Sequence, residues 1–440
     1  MTPPKALILG IALMIVIGTS LLSLPAATAD GTSLRWIDAL FTATSALCVT
    51  GLTVVDTGTH FSLFGQIIIL ILIQIGGVGF VTMAIVISVL IGRRVGLRER
   101  LLVQESLGQV KFQGMVRLAL YTFLLALVAE FAGMILLWLR WQADLGPARA
   151  FWFAIFHSIS AFTNAGFDLF GAVGESSIHG YRGDLLVNAV IGGLIVLGSL
   201  GLPVLDEILR WHRTRRFSLH SSLVLVTSGL LLAGGAILLF FVEISPDSTL
   251  AQMTFGERVL VSLFQSTSAR TGGLTTVPLV EMNPAAWFLL MALMFVGAAT
   301  ASMGGGVKVN VLGALLATLW SVARGREEIK AFGRTIPSET VYKALAVMIG
   351  SVTFVMVMTI GINISESLDP LFLMFEVVSS FGTVGYSLGV TPHLSDAGKI
   401  LIVITMFVGR LGPLTLIAAI ARRQKTIQLI HYPEEKILIG

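Results

Sequence analysis

The chain has 440 residues, of which 55% are hydrophobic and only 12% are charged, and its mean hydropathy is +0.89. A water-soluble protein of this length needs more charge to cover its surface, so the composition excludes a soluble globular protein and indicates a membrane protein. The net charge is +4, and the only cysteine, Cys48, excludes an intramolecular disulfide and a cysteine metal cluster. No nucleic-acid partner is expected, because the basic residues flank apolar segments.

Long apolar segments follow one another along the chain, separated by short polar loops. A helix needs about 20 apolar residues to cross a bilayer. We predict eight membrane-spanning helices, at residues 6–25, 63–91, 115–139, 185–209, 221–242, 285–322, 341–363 and 397–421. Four shorter apolar stretches predict re-entrant pieces, at residues 36–48, 150–162, 256–269 and 369–381. The sequence therefore predicts an all-α membrane protein.

Lys and Arg residues concentrate in alternate loops, at 93–117, 210–216 and 324–343, and in the segment 422–436. The positive-inside rule then predicts a multi-pass protein of the cell (inner) membrane with these loops and both termini in the cytoplasm. The first apolar segment ends near Ala26-Ala27-Thr28-Ala29, a pattern typical of a cleaved signal peptide. We expect no cleavage, because it would remove the first helix of the repeats described next.

Four stretches of the chain align on one glycine each: FTATSALCVTGL (41–52), FHSISAFTNAGF (156–167), LFQSTSARTGGL (263–274) and FEVVSSFGTVGY (375–386). A Phe or Leu lies ten residues before each glycine, a Ser or Thr lies six before it, and the glycines are 115, 107 and 112 residues apart. Such a period predicts four tandem helix–pore-loop–helix (M1-P-M2) repeats around one central pore. The predicted units are residues 1–92, 112–210, 220–323 (with an intramembrane gating loop) and 338–423, and a cytoplasmic tail at 424–440.

The glycine turns predict a path lined by backbone carbonyls, which can replace the water shell of a cation. Glycine tolerates the positive φ that such a turn requires. The predicted selectivity filter comprises Val49, Thr50, Gly51, Leu52, Asn164, Ala165, Gly166, Phe167, Thr271, Gly272, Gly273, Leu274, Thr383, Val384, Gly385 and Tyr386. The predicted ion ligands are the backbone groups of Val49, Thr50, Asn164, Ala165, Thr271, Gly272, Thr383 and Val384. A single such glycine would be explained by close helix packing, but four in register favour the filter.

The sixth apolar segment, 285–322, is too long for one span and contains three consecutive glycines. Each glycine costs about 1 kcal/mol relative to alanine in a helix, so the helix is expected to break there. We predict a movable intramembrane gate, and the alternative is a packing kink that does not move. The predicted gate residues are Ser302, Met303, Gly304, Gly305, Gly306, Val307, Lys308 and Arg410.

Arg410 lies about halfway along the last apolar segment. A charge at the bilayer centre costs at least about 2.5–3.5 kcal/mol, so its side chain should face partners inside the protein. We expect it to hydrogen-bond carbonyls of residues 302–306 or a carboxylate. Two compatible roles stay open, repelling waiting cations and clamping the interrupted helix.

The four-glycine pattern and the succession of helices resemble the translocation subunits of Ktr-type potassium uptake systems, in the Trk/Ktr/HKT superfamily of cation transporters. The resemblance covers nearly the whole chain. It implies one filter glycine per repeat, and Gly51 occupies the position at which sodium-passing members have serine. It also implies an interrupted second helix in the third repeat that gates the ion path, with an arginine matching Arg410 beside it.

The resemblance further implies that K⁺ is the transported ion and that this chain holds no organic cofactor and is not an enzyme. The implied partners are a second copy in a homodimer, membrane lipid, and a cytosolic ring of nucleotide-binding (RCK/KTN) regulatory subunits. Sodium activates many members of the family, but the sequence assigns no sodium site.

Three other functions are considered. A sodium-permeable or weakly selective transporter is the nearest, because the additional glycine, Gly272, could loosen the third filter. An intramembrane enzyme using His157 or Glu130 lacks a paired acid–base constellation. A membrane scaffold would not need four costly re-entrant turns.

Several polar residues near the predicted pore are assigned structural roles. Glu130 is expected to pair with a neighbouring helix, and His157, Gln265 and Glu376 are expected to brace the filter from behind. Arg270 is expected to turn away from the axis and to hydrogen-bond the outer backbone of the filter.

Overall fold

The computed structural model describes residues 3–79, 82–83, 86, 89, 115–244, 248–326 and 328–412. The predicted tail 424–440, most of the basic loop 93–117 and the end of the last predicted span lie outside these residues. The described part is mostly helical, as the apolar segments predicted. A short two-stranded antiparallel ribbon, Lys330–Ala331 with Arg334–Thr335, lies in the loop before the fourth repeat.

Each repeat consists of a leading helix, a short pore helix, an extended glycine segment and a trailing helix. The leading helices are Pro3–Leu22, Met115–Leu145, Leu219–Val242 and Ser338–Ser365. The pore helices are Trp36–Cys48, Pro147–Phe162, Phe255–Ser268 and Pro370–Gly382. The trailing helices are Leu63–Val78, Leu185–Leu200 with Leu202–Thr214, Pro284–Phe295 with Val309–Ala323, and Asp396–Leu411. A one-turn helix, Thr57–His60, precedes the first trailing helix.

The pore helices begin where local sequence signals start a helix. Pro147 and Pro370 occupy first-turn positions, where the missing N–H costs no hydrogen bond. Thr254 and Glu257 form a reciprocal capping box at the start of the third pore helix. The four observed pore helices lie within three residues of the predicted re-entrant stretches at both ends. Local sequence therefore determines where these helices lie.

The leading helices have the length and surface of membrane spans. They are the four described helices that are long and apolar enough to cross a bilayer, and a bent trailing pair would make a fifth. Their exposed faces carry large apolar side chains, including Leu13 (60% exposed), Val128 (61%), Leu230 (65%) and Ile364 (82%). Such surfaces suit lipid and not water. The protein is thus a multi-pass membrane protein.

The trailing helices correct part of the prediction, because 63–91, 185–209 and 397–421 were expected to be continuous spans. The first trailing helix ends at Val78, the second bends by 103° after Leu200, and the fourth ends at Leu411. A glycine with positive φ follows each end: Gly79 (95°), Gly201 (81°) and Gly412 (79°). A residue in this conformation cannot continue a right-handed helix, so it terminates each one.

The predicted break in segment 285–322 is confirmed. Its helix ends at Phe295 and resumes at Val309, and the intervening chain carries the three consecutive glycines. The core packs around the pore helices in two main clusters, one centred on those of repeats 1 and 2 and the other on those of repeats 3 and 4. The glycine segments contribute residues to both clusters, such as Phe167 to the first and Tyr386 to the second.

Candidate functional site

The four glycine segments, residues 49–52, 164–167, 271–274 and 383–386, meet in a closed ring. A Cβ added to Gly51 would lie 2.5 Å from the carbonyl oxygen of Ala165, and one added to Gly273 would lie 2.5 Å from the Cα of Gly166. The same Cβ on Gly273 would lie 2.5 Å from the carbonyl oxygen of Val384. A Cβ on Gly385 would lie 2.3 Å from the carbonyl oxygen of Thr50. Each segment therefore touches the next, and the fourth returns to the first.

Every glycine segment has the same unusual backbone conformation. The residue two positions before the glycine has positive φ in all four repeats: Val49 (58°), Asn164 (62°), Thr271 (73°) and Thr383 (50°). The glycines follow with φ of 90°, 71°, 76° and 94°. Three of the four preceding residues are β-branched, for which this conformation costs about 1–3 kcal/mol each. Strained backbone of this kind clusters at functional sites in proteins, and here it recurs at one position in four segments.

Hydroxyl groups of the pore helices hold the segments in place. Ser160 Oγ donates to the carbonyl of Phe167 at 2.7 Å, and Ser268 Oγ donates to that of Leu274 at 2.6 Å. In the first repeat the polarity is reversed, because the N–H of Gly51 donates to Ser45 Oγ at 3.1 Å. All three hydroxyls are buried, so these bonds fix the backbone where water does not compete.

The residues expected to brace the segments from behind make such contacts. Tyr386 donates its hydroxyl to Oε1 of Gln265, which joins the fourth segment to the third pore helix at 2.5 Å. His157 Nε2 accepts from the N–H of Leu169 at 3.3 Å, just after the second segment. The carboxylate of Glu376 accepts from the hydroxyl of Ser387, just after the fourth. His157, Gln265 and Glu376 are fully buried.

Two other polar residues have defined partners. Glu130 accepts two hydrogen bonds from Gln74 Nε2, at 3.1 and 3.2 Å, which confirms that it pairs with a neighbouring helix. Arg270 donates to the carbonyl and hydroxyl oxygens of Ser228 at 3.3 and 3.2 Å. The expected bond from Arg270 to the filter backbone is therefore wrong, because Ser228 on the third leading helix lies within its reach and fixes the side chain there.

The glycine loop, residues 302–308, lies against the segments of repeats 3 and 4. The N–H of Gly305 donates to Thr383 Oγ1 at 2.8 Å, and a Cβ on Gly304 would lie 2.3 Å from Thr271 Oγ1. Lys308 Nζ donates to the carbonyl of Gly304 at 2.7 Å, which folds the loop back on itself. Residues 303–307 are buried. The loop therefore lies directly beside the third and fourth glycine segments.

Arg410 connects the glycine loop to another repeat. Its guanidinium donates to the carbonyl of Met303, as expected for a residue of 302–306, and also to the carbonyl of Gly76. The carbonyl of Gly77 lies 3.4 Å away. These carbonyls belong to the last turn of the first trailing helix, and the carbonyls of a last turn generally need partners from outside the helix. The guanidinium of Arg410 thus donates hydrogen bonds both to a carbonyl of the glycine loop and to a carbonyl at the end of a helix.

A second set of glycines, which the sequence did not predict as functional, packs against the ends of the pore helices. A Cβ on Gly76, Gly198 or Gly409 would lie 2.0, 1.9 or 2.1 Å from the carbonyl oxygen of the residue four before the ring glycine of its own repeat. Each is followed three residues later by the glycine that ends the helix. The signal is the spacing G-x-x-G, which recurs in GGVG, GSLG and GRLG. In repeat 3 the corresponding letters are GAAT, and there the chain opens into the glycine loop.

Asn164 links the ring to this second set. Its side-chain amide lies 2.7 Å from the hydroxyl oxygens of both Ser199 and Thr271. Ser199 directly follows Gly198, and Thr271 belongs to the third glycine segment. The segments of repeats 2 and 3 are therefore coupled to the point at which the second trailing helix bends.

The chain is similar to known transport proteins over its length. A family model described as TrkH, Cation transport protein, matches residues 9–428. Ktr system potassium uptake protein B of Bacillus subtilis is 38% identical over 439 residues, covering 100% of this chain and 97% of its own length. The protein of the same name from Vibrio alginolyticus is 37% identical, covering 99% and 95%. Potassium/sodium uptake protein NtpJ of Enterococcus hirae is 35% identical, covering 100% and 98%.

A solved structure shares the fold. The potassium transporter TrkH from Vibrio parahaemolyticus superposes with a TM-score of 0.71 over 94% of this chain and 84% of its own, at 21% identity.

Proposed function

This chain belongs to the TrkH family of cation transport proteins, and we propose that it takes up potassium ions across the cell membrane through the ring of four glycine segments. The observation that carries the proposal is the closed ring of strained, carbonyl-bearing backbone in the middle of a membrane protein. Irregular backbone survives at that depth only where protein buries it or where it lines a watery path. Such carbonyls can replace the water shell of a cation.

The proposed selectivity filter consists of the four glycine segments, with K⁺ bound by backbone oxygens at the two residues before each glycine. None of the sixteen filter side chains is charged. Among the described residues, no group of three His, Cys, Asp or Glu side chains could hold a metal ion. Selection would therefore rest on the number and spacing of carbonyl groups, and we propose no catalytic step and no organic cofactor.

The proposed gate is the glycine loop together with Arg410. Its buried position against Thr271 and Thr383 supports this role, because an ion leaving the proposed filter at these segments would meet the loop. The three consecutive glycines have no Cβ atoms, so the backbone of the loop can change conformation at low steric cost. Moving it would break the bonds of Gly305 to Thr383 and of Arg410 to Met303, and also those from the N–H groups of Met303 and Gly306 to the carbonyls of Gly198 and Gly409. Several hydrogen bonds would therefore hold the closed state.

We further propose the orientation of the protein in the membrane and its partners. The basic loops would face the cytoplasm, with both termini on that side. The proposed partners are a second copy of the chain in a homodimer and a cytosolic ring of nucleotide-binding regulatory subunits, which would act on the gate from below. Activation of potassium uptake by sodium is part of the same proposal. The repeat boundaries are those given above.

A sodium-permeable transporter is the second candidate, because one relative is named a potassium/sodium uptake protein. The additional glycine of the third segment does not require a loose filter. A Cβ on Gly272 would lie 2.7 Å from Ile195 Cδ1 and 2.8 Å from the backbone of Ser268. Close packing therefore accounts for Gly272, and potassium is the better-supported ion.

The test is ion uptake by cells that lack their own potassium importers. Expression of the chain, with a regulatory subunit of its host, is expected to restore potassium uptake at low external potassium. Parallel assays with sodium alone and with both ions give the selectivity. Sodium uptake without potassium uptake, by protein that reaches the membrane, would replace potassium by the second candidate.

A further inference from the structure

Three of the seams between neighbouring repeats follow one plan. The N-terminal turns of a trailing helix contact the first turns of the next pore helix. Between repeats 1 and 2, Trp152 Nε1 donates to Gln66 Oε1 at 2.7 Å. Between repeats 3 and 4, the rings of Trp287 and Phe372 pack edge to face, with centroids 5.3 Å apart. The trailing-helix residues lie 15 and 14 positions after their ring glycines, and the pore-helix residues 14 and 13 positions before theirs.

The seam between repeats 4 and 1 has an ion pair at the matching positions. Lys399 lies 14 residues after Gly385, and Asp38 lies 13 residues before Gly51. Lys399 Nζ and Asp38 Oδ1 are 2.6 Å apart, with side chains only 7% and 10% exposed. Consecutive repeats are joined by the chain itself, whereas no linker joins the fourth to the first. The ion pair therefore lies at the seam that depends on non-covalent contacts alone.

At the same seam the ring glycine of the fourth segment packs closely against the first segment. A Cβ on Gly385 would lie 2.3 Å from the carbonyl oxygen of Thr50. Asp38 is in the first turn of the pore helix that ends at Cys48, directly before the first ring segment. Because a short helix moves as a rigid body, a shift at Asp38 would be carried to Val49 and Thr50. The distance between the first and fourth segments thus depends on how Asp38 meets Lys399.

We propose that Asp38 and Lys399 are positioning residues for ion selection, whose buried ion pair sets the spacing between the first and fourth filter segments. The inference rests on the proposed function. Removing Asp38 leaves the buried charge of Lys399 uncompensated, which is strongly destabilising, whereas removing Lys399 leaves Asp38 with only the longer 4.0 Å contact to Arg35 Nε. The pair therefore specifies one arrangement of the seam. An apolar pair such as the one at the seam of repeats 3 and 4 would allow the helices to slide.

The experiment compares variants of the full chain in the uptake assay. Lys399→Met and Asp38→Asn each remove one charge, the exchange Asp38→Lys with Lys399→Asp restores a pair, and Asp38→Glu keeps the charge but lengthens the side chain. The matched control is Asp396→Asn, which removes the exposed 2.7 Å pair with Arg35. That pair crosses the same seam, but exposed pairs contribute little.

The single neutralised variants are expected to raise the ratio of sodium to potassium uptake several-fold, and Asp38→Glu to raise it less. The exchange variant should lower the ratio again, and Asp396→Asn should leave it unchanged. The unfolding temperature of the purified protein should fall by about 4 °C in the single variants and recover in the exchange variant. An unchanged ratio in folded Asp38→Glu and Lys399→Met, or an equal effect of Asp396→Asn, would overturn the inference. If the intact chain carried no potassium, the proposed function would fail, whereas the unfolding temperatures would still test the pair.

Discussion

Replacing Gly385 by alanine tests whether ion selection depends on the spacing of the glycine segments. The added Cβ would lie 2.3 Å from the carbonyl oxygen of Thr50, while ordinary contacts begin near 3.4 Å. The first and fourth segments must therefore separate by about 1 Å, on the scale at which carbonyl positions matter for an ion. The positive φ of 94° adds about 1–3 kcal/mol of backbone strain. We expect Gly385→Ala to lower potassium uptake and to raise the ratio of sodium to potassium uptake.

Gly389 provides the matched control for this substitution. It lies four residues later, has a φ of 85°, and a Cβ added to it would meet nothing within 4 Å. Gly389→Ala therefore carries a similar backbone strain without moving a filter segment. Uptake of rubidium or potassium with sodium as competitor separates the two effects at matched membrane expression. Gly385→Ala with unaltered selectivity, or Gly389→Ala with the same loss of selectivity, would refute the proposed role of the ring.

Further substitutions test the gate, the second set of glycines and the buried carboxylate. Deleting residues 303–307, or replacing Arg410 by glutamine, should raise ion flux without a regulatory subunit; unchanged or lower flux in folded protein would contradict the gate. Gly198→Ala should destabilise the protein by about 1–3 kcal/mol or more, because its Cβ would lie 1.9 Å from a carbonyl oxygen. Gly193→Ala is the control, since a Cβ there meets nothing within 4 Å and should not destabilise the protein. Thermal unfolding of the two variants checks this difference. Glu130→Gln should leave uptake intact, because an amide oxygen still accepts a hydrogen bond; loss of uptake would favour a chemical role for this carboxyl.

The sequence was sufficient to predict features that depend on local signals or on internal repetition. The four ring glycines stand out because the same neighbours recur at the same offsets. The pore helices were placed within three residues, since proline, capping residues and short apolar runs determine their ends. The break in the third trailing helix was visible because three adjacent glycines are strongly unfavourable in a helix, at about 1 kcal/mol each.

Other features depend on contacts that no local signal announces. The ends of the other trailing helices were missed because an isolated glycine in an apolar run is typical of close helix packing, which the structure also shows at Gly76, Gly198 and Gly409. The partner of Arg270 lies 42 residues before it, and Lys399 meets Asp38 across 361 residues. Residues so far apart in sequence become neighbours only when the repeats pack into the ring, so no local pattern predicts these pairs.

The arrangement of four repeats in one chain has a consequence for the placement of charge. An assembly of four identical subunits would carry any intramembrane arginine four times and would interrupt four helices alike. Here the position after the packing glycine differs in every repeat: Gly77, Ser199, Ala298 and Arg410. A single covalent chain can therefore carry an arginine at this position in one repeat and a glycine loop in another beside an approximately symmetric ring of glycine segments. Four repeats in one chain can thus meet two demands at once: a nearly uniform surface for the ion, and a proposed gate that is present in one place only.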